Sequence, residues 1–265
     1  VADETAPVRM ALVQMELADG DGARNLAAAE RGVAEAAQAG AGIVVLPEMT
    51  LTGFPYDRLE ALAEPLDGPG AAAFARMAGD HRVVVVAGLP RRDEGGGVFN
   101  TTVVLGPAGE LLATYDKTHL FDREKTVFTP GAALDGVFTY RGVGYGLLCC
   151  FDIEVPEAAR KLALLGAECL LVPSANMEPW GLHHRIFARS RALENHVFVA
   201  YCNGVGPCAG ATLVGGSCLV DPLGRILCDA GAGESVVWGD VDMAVAAESR
   251  LVYDYLRERR PDLYA

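Results

Sequence analysis

The sequence predicts an α/β protein built on two packed mixed β-sheets, and three observations predict it. Short apolar runs of strand length alternate with Ala-rich stretches of helical periodicity, strand–helix–strand units are interspersed with hairpins, and the expected strands number more than ten. Crossovers through helices make parallel neighbours and hairpins make antiparallel ones, so the sheet is mixed with helices outside it. More than ten strands overfill one twisted open sheet. Two sheets packed face to face, each with helices on its outer side, accommodate them.

The elements follow in order. Val8–Met15 is an apolar strand, and Asp19-Gly20-Asp21-Gly22 turns the chain toward a helix. From Asn25 to Gln38, Leu26, Ala29, Val33 and Ala37 share one helical face, and Gly40 and Gly42 end it. Ile43–Leu46 is a fully apolar strand of the kind covered on both faces. A helix over Pro69–Gly79 leads to a buried strand, Arg82–Leu89, and Gly95-Gly96-Gly97 turns into Val98–Leu105. Gly106-Pro107-Ala108-Gly109 turns again into Glu110–Asp116, and Val137–Tyr140 pairs with Gly144–Cys149. The second half repeats the theme: helix Pro156–Leu165, strand Glu168–Val172, helix Leu182–Glu194, strand Val197–Tyr201. Strands Gly216–Asp221 and Gly224–Asp229 form a hairpin around Pro222-Leu223-Gly224. Strand Val236–Val241 and a helix over Met243–Arg257 close the pattern. No linker interrupts it, so residues 1–265 are expected to be a single domain, with 1–7 a flexible N-terminus and 255–265 a C-terminal tail.

Composition narrows the class. With 51% hydrophobic and 22% charged residues the chain is globular, not disordered. A formal net charge of −13 with scattered Lys and Arg argues against a nucleic-acid surface, because phosphate binding needs clustered cations. The acidic Val1–Pro7 stretch lacks the basic and apolar regions of a secretory leader, and apolar runs such as Val83–Ala87 are too short to span a bilayer. Seven cysteines, an odd number without the spacing of a disulfide framework, suit a reducing compartment. A cytoplasmic protein that binds neither nucleic acid nor membrane is the expectation.

Three places set a reactive residue just past a buried strand, where α/β sheets bind ligands. Glu48 stands two residues beyond Leu46, after Pro47; a carboxylate desolvated there is a usable base, although a turn or cap residue looks the same. Lys117 ends a strand among aromatic and apolar neighbours; a buried ammonium needs a carboxylate or a developing anion beside it, and an exposed strand-end lysine is the plain alternative. Cys150 lies where a strand meets a helix marked by Pro156, and backbone N–H groups at such a junction favour thiolate. Cys149 alternates inward with Leu147 and reads as a buried small hydrophobe. His119 reads as a packing residue or a support behind the site rather than a ligand. The adjacent His183 and His184 point apart on a helix and make a poor pair of metal ligands, so no metal or cofactor is expected.

The order of these motifs resembles the nitrilase (carbon–nitrogen hydrolase) superfamily: Leu46-Pro47-Glu48, Tyr115-Asp116-Lys117, then Cys150-Phe151-Asp152 with Pro156-Glu157. The likeness extends from the Val8–Gln14 strand to the Tyr255–Tyr264 tail. It implies a four-layer α-β-β-α sandwich that dimerises or assembles further as a homo-oligomer. It implies Cys150 as nucleophile and Glu48 as the base that takes its proton. Lys117 and the Phe151 backbone N–H are implied as oxyanion donors. Glu124, ahead of Phe128 and Pro130-Gly131, matches a further glutamate that positions substrate and Lys117. Amide hydrolysis needs these types: an ammonium and an N–H donor meet the negative charge on the carbonyl oxygen, and a thiolate divides the reaction through a thioester.

The resemblance also bears on substrate. Members acting on acids often carry Arg where this chain has Glu154, and Glu154 would repel a carboxylate. A small primary amide whose acyl part is neutral or amine-bearing is therefore expected, with Glu154 alternatively pointing away to Arg185 or Arg189. Asn176, Met177 and Trp180, past the Glu168–Val172 strand, are expected to line the pocket, and Tyr56 to close another side. Phe151-Asp152 favours amides over nitriles, since nitrilases of the family tend to have Trp-Glu there. A silent scaffold with this fold, or a redox enzyme, fits the residues less well: the set Glu48, Lys117, Glu124 and Cys150 is intact, and Cys149-Cys150 lacks Cys-x-x-Cys spacing.

Overall fold

Apolar residues that alternate along the central strands divide between two interiors, and this alternation builds the architecture. The computed structural model describes residues 7–251 and 253–264. Apart from Pro7, the expected flexible N-terminus lies outside the described residues, as does Ala265 of the expected tail. In chain order the elements are β1 (Val8–Gln14), α1 (Gly22–Gln38), β2 (Ile43–Val45), α2 (Leu59–Leu62), α3 (Pro69–His81), β3 (Val84–Arg92), β4 (Val98–Leu105) and β5 (Leu111–Asp116). Then come β6 (Val137–Tyr140), β7 (Val143–Leu147), α4 (Pro156–Leu164), β8 (Cys169–Ser174), α5 (Gly181–Asn195) and β9 (Phe198–Asn203). Last are β10 (Val205–Cys208), β11 (Ala211–Val214), β12 (Cys218–Val220), β13 (Ile226–Asp229), β14 (Ser235–Val241) and α6 (Met243–Ser249).

Two six-stranded sheets form, ordered β14-β1-β2-β3-β4-β5 and β13-β12-β9-β8-β7-β6. Each is mixed: β1-β2-β3 and β7-β8-β9 run parallel, and the flanking strands pair antiparallel. Met10, Leu12, Ile43, Val45, Val84 and Val86 face the second sheet, where they meet Tyr145, Leu147, Cys169, Leu171, Phe198 and Ala200. The intervening Ala11, Val13, Val44, Val85 and Ala87 pack outward against Ala29, Val33, Phe74 and Met77 of α1 and α3. On the far side Leu170, Val172, Val199 and Tyr201 pack against Ala158, Leu162, Ala188 and Ala192 of α4 and α5. Three cores between four layers give an α-β-β-α sandwich, the α/β fold expected, with period-2 alternation assigning each side chain its layer.

Three elements differ from the sequence reading, among them the one-turn helix α2, which it did not include. The last helix ends at Ser249 rather than Arg257, because the Ser249 hydroxyl bonds Ala246 O and His196 Nδ1, and Tyr255 then stacks on the His196 ring. The hairpin β10-β11 was not expected; Gly204, Gly206, Pro207 and Gly210 hide its strand periodicity. Among the described residues, no helix is long and apolar enough to cross a membrane.

Candidate active site

The ends of β2, β5, β7 and β8 converge at one end of the sandwich and carry the polar residues there. Past β2 the chain turns sharply, with Met49 at φ 51°. The turn lies against Gly88, where a Cβ would sit 2.3 Å from the Met49 nitrogen, so only glycine fits. The Glu48 N–H donates to Ser174 O at the end of β8, 3.2 Å away, tying the turn to the second sheet. Lys117 extends β5 by one residue, its N–H donating to Asn100 O at 2.9 Å.

Glu48, Lys117, Glu124 and Asn100 make one buried network. The Lys117 ammonium donates to Glu48 Oε1 and to Glu124 Oε2, each at 2.7 Å. Asn100 Nδ2 donates to Glu48 Oε1 at 2.7 Å and Glu124 Oε1 at 2.9 Å, bridging both carboxylates. Glu124 is placed by a short 3-10 turn over Asp122–Thr126, where Phe121 N–H donates to its Oε2 at 2.7 Å. All four residues are almost wholly buried. Every bond to Glu48's carboxylate falls on Oε1, leaving Oε2 with no hydrogen bond to the described residues.

Cys150 sits at the turn after β7 with φ 46°, a left-handed conformation unusual for a residue with a Cβ. A 3-10 helix, Cys150–Glu154, follows it. Asp152, fully buried, holds this elbow to the end of β5. Its Oδ2 accepts from Tyr115 Oη (2.8 Å) and Cys149 N–H (2.9 Å), and its Oδ1 lies 2.7 Å from His119 Nδ1. Cys149 faces inward, as its alternation predicts, but its thiol is not inert packing: it donates to Glu48 Oε1 at 3.2 Å. Sequence reasoning missed Asn100 and this thiol contact, which lie within or beside ordinary strands, and it quoted Asp152 in the motif without its role in bracing the elbow.

Electrostatics refine the sequence expectation for the cysteine. Burial pushes the Cys150 thiol well above its ordinary range, and the Glu48 charge adds to this; Lys117 and contacts at Ser174 and Ala175 offset only part. Burial and the Glu48 charge thus oppose the thiolate that the junction favours. Burial lowers the Lys117 pKa, but Glu124 and Glu48 more than compensate and hold the ammonium charged. Burial raises the Glu124 carboxyl, against the pull of Lys117.

Two adjoining cavities meet at Cys150. One, of about 190 Å³, is lined by Glu48, Lys117, Glu124 and Cys150 together with Tyr56, Met177, Arg123 and residues of the β10-β11 hairpin. The other, of about 290 Å³, is lined by Cys150, Phe151, Glu154, Asn176, Met177 and Trp180, with Phe121, His183 and His184. Each pocket residue expected from the sequence thus borders one cavity or both. Tyr56 carries the Arg123 guanidinium over its ring at 4.4 Å, and Trp180 meets Phe121 edge-on at 5.8 Å. Asn176 Nδ2 donates to Trp180 O at 3.2 Å, fixing the loop. Glu154 pairs with neither expected arginine: its Oε1 lies 3.0 Å from His184 Nε2, while Arg185 pairs with Asp229 and Arg189 donates to Gly224 O. Among the described residues no group of three or more His, Cys, Asp or Glu is arranged to hold a metal ion.

A sequence model of the carbon-nitrogen hydrolase family matches residues 9–251, and the chain belongs to that family. It is a carbon–nitrogen hydrolase of the nitrilase superfamily. It is 40% identical to an (R)-stereoselective amidase of Pseudomonas sp. over 96% of this chain and 92% of that one. It is 34% identical to omega-amidase NIT2 of Danio rerio over 97% and 96%. A solved amidase from Nesterenkonia sp. AN1 superposes with TM-score 0.89 at 29% identity, over 100% of this chain and 98% of that one. That structure, of a glutamate mutant, shows covalent addition of the acetamide moiety of fluoroacetamide at the active-site cysteine.

Proposed function

We propose that the protein is an amidase that hydrolyses a small primary amide, without a carboxylate near the carbonyl, to an acid and ammonia. The observation that carries this reading is that Cys150, Glu48, Lys117 and Glu124 line one small cavity, with Glu48 Oε2 and the third Lys117 proton uncommitted. Cys150 attacks the amide carbon while its proton passes to Glu48 Oε2. Lys117 and the Phe151 N–H stabilise the oxyanion; an oriented donor in a dry site is worth roughly a hundred- to a thousandfold in rate. Glu48 returns the proton to the nitrogen, the C–N bond breaks, and ammonia leaves a thioester on Cys150. Glu48 then takes a proton from water, whose oxygen attacks the thioester carbon; the acid leaves and the thiol is restored. Glu124 and Asn100 hold Lys117 and Glu48 in place and take no part in bond making.

The finer surroundings of the reading are proposals too. All seven cysteines are free thiols, which suits a reducing, cytoplasmic setting. Leu182, Ile186 and Leu193 are exposed along one side of α5, an apolar face suited to a second copy of the chain in a homodimer or larger homo-oligomer. The test is ammonia release from neutral, basic and acidic amides and from matching nitriles, with Cys150→Ala as blank. Release from amides, absent in the blank, supports the reading; turnover of nitriles alone, or none, counts against it.

A further inference from the structure

Glu154 borders the larger cavity, one wall of which is Cys150 itself, so an acyl group whose carbonyl sits at the thiol can reach it. One carboxylate oxygen is held by His184 Nε2; the other, Oε2, bonds no described residue. His184 Nδ1 lies 3.0 Å from the hydroxyl of Tyr201, whose proton burial holds firmly in place. His184 thus spans from the buried Tyr201 hydroxyl to Glu154 and holds the carboxylate at the cavity wall. Its fixed partner also fixes its direction. Among the described residues that line this cavity there is no Lys or Arg; the other titratable groups are the Cys150 thiol, His184 and the exposed His183.

The rest of the wall is aromatic. Trp180 meets Phe121 edge-on at 5.8 Å, and Phe121 tilts against Phe151 at 5.3 Å. Aromatic faces beside a carboxylate attract a cation. The carboxylate and the ring faces offset the cost of desolvating a cation, whereas an anion facing Glu154 bears that cost with no partner and meets repulsion as well. The Lys117 ammonium does not reverse this preference, because Glu48 and Glu124 both bond it at 2.7 Å.

We propose that the Glu154 side of the cavity is an ammonium-binding acyl pocket, and that the preferred substrates are small amino amides whose protonated amine lies a few bonds from the carbonyl. This rests on the amidase reading and narrows it to a substrate class. A salt-linked hydrogen bond of this kind is worth roughly tenfold to a hundredfold in affinity.

The test compares β-alaninamide with butanamide, which replaces its ammonium by a methyl group of similar size, and with succinamate, which replaces it by a carboxylate. Binding is measured at pH 7 by calorimetry on Cys150→Ala protein, and kcat/KM by ammonia release on wild type. Expected is at least about a tenfold preference for β-alaninamide over butanamide in both, with succinamate poorest. Glu154→Gln, which keeps an acceptor for His184, should shrink the β-alaninamide to butanamide ratio about tenfold or more. A ratio near one in wild type, or one unmoved by Glu154→Gln, overturns the proposal. So does a preference for succinamate that Arg123→Gln abolishes, since that places the acyl group on the other side. Equal hydrolysis of all three overturns the pocket and the exclusion of carboxylates and leaves the amidase activity standing; selective binding of β-alaninamide without ammonia release does the reverse.

Discussion

The Cys149 thiol donates to Glu48 Oε1 at 3.2 Å, so the residue next to the proposed nucleophile in sequence holds the proposed base. Cys149 and Cys150 share a peptide bond yet project differently, because the left-handed φ of Cys150 turns the chain between them. One sulfur faces the inter-sheet core and touches Glu48 from behind, while the other borders the cavities.

This contact separates donor from filler. Cys149→Val keeps most of the volume and removes the donor; Cys149→Ser keeps a donor. With a hydrogen bond worth about 1 kcal/mol, kcat should fall about threefold to tenfold in Cys149→Val and less in Cys149→Ser. Steady-state ammonia release decides, and a valine variant with wild-type kcat would reduce the thiol to packing.

Asn100 supplies donors to two carboxylates at once. Asn100→Ala leaves Glu48 Oε1 and Glu124 Oε1 short of a partner in a buried site, which should cost about 1–3 kcal/mol of stability. Because Glu48 also loses one of the three hydrogen bonds to its carboxylate, kcat should drop by more than KM rises. Urea unfolding and kinetics on the same preparation check both; a destabilised variant with unaltered kcat would confine Asn100 to the fold.

His119 links the site to pH. Its hydrogen bond to Asp152 raises the imidazole pKa above 6.5, partly opposed by burial. A raised folded pKa means the protonated form is favoured in the folded state, so the stabilisation is complete below the unfolded value and fades as pH rises through the folded one. The urea midpoint of the wild type should therefore decline on moving from mildly acidic to mildly alkaline buffer, and His119→Gln should lose that component. Parallel pH profiles for the two proteins would remove the assignment.

The α5 face gives the fourth expectation. Leu182 and Ile186, one turn apart, are 67% and 54% exposed. Sedimentation at micromolar concentration should find a dimer or larger assembly, and Ile186→Glu, which places a charge in that apolar face, should shift it toward monomer. A wild type that sediments as a monomer would rule this interface out.

The fold was largely legible because each central strand carries a strict inside–outside alternation, as in Met10, Leu12 against Ala11, Val13. Helix termination at Ser249 was not, since the stop is made by a tertiary hydrogen bond to His196 rather than by Gly or Pro. Glu48, Lys117, Glu124 and Cys150 were legible as a motif set. Asn100 was hidden inside a strand whose neighbours Thr101 and Thr102 are equally polar and equally buried. Glu154's partner was misjudged because sequence favours arginine for a carboxylate, whereas packing of α5 turned His184 inward and Arg185 away. The state of the Cys150 thiol depended on burial that no local pattern reports.

Glu48, Asn100 and Lys117 belong to one sheet and Cys150 to the other, with Tyr115 and Asp152 clasped across the divide. Chemistry here is consequently a gauge of tertiary assembly: any event that slides or parts the two halves separates acid from sulfur before either half need lose its strands. Turnover should then fade during denaturation ahead of the far-ultraviolet signal, making catalysis the most sensitive reporter of how the halves are seated.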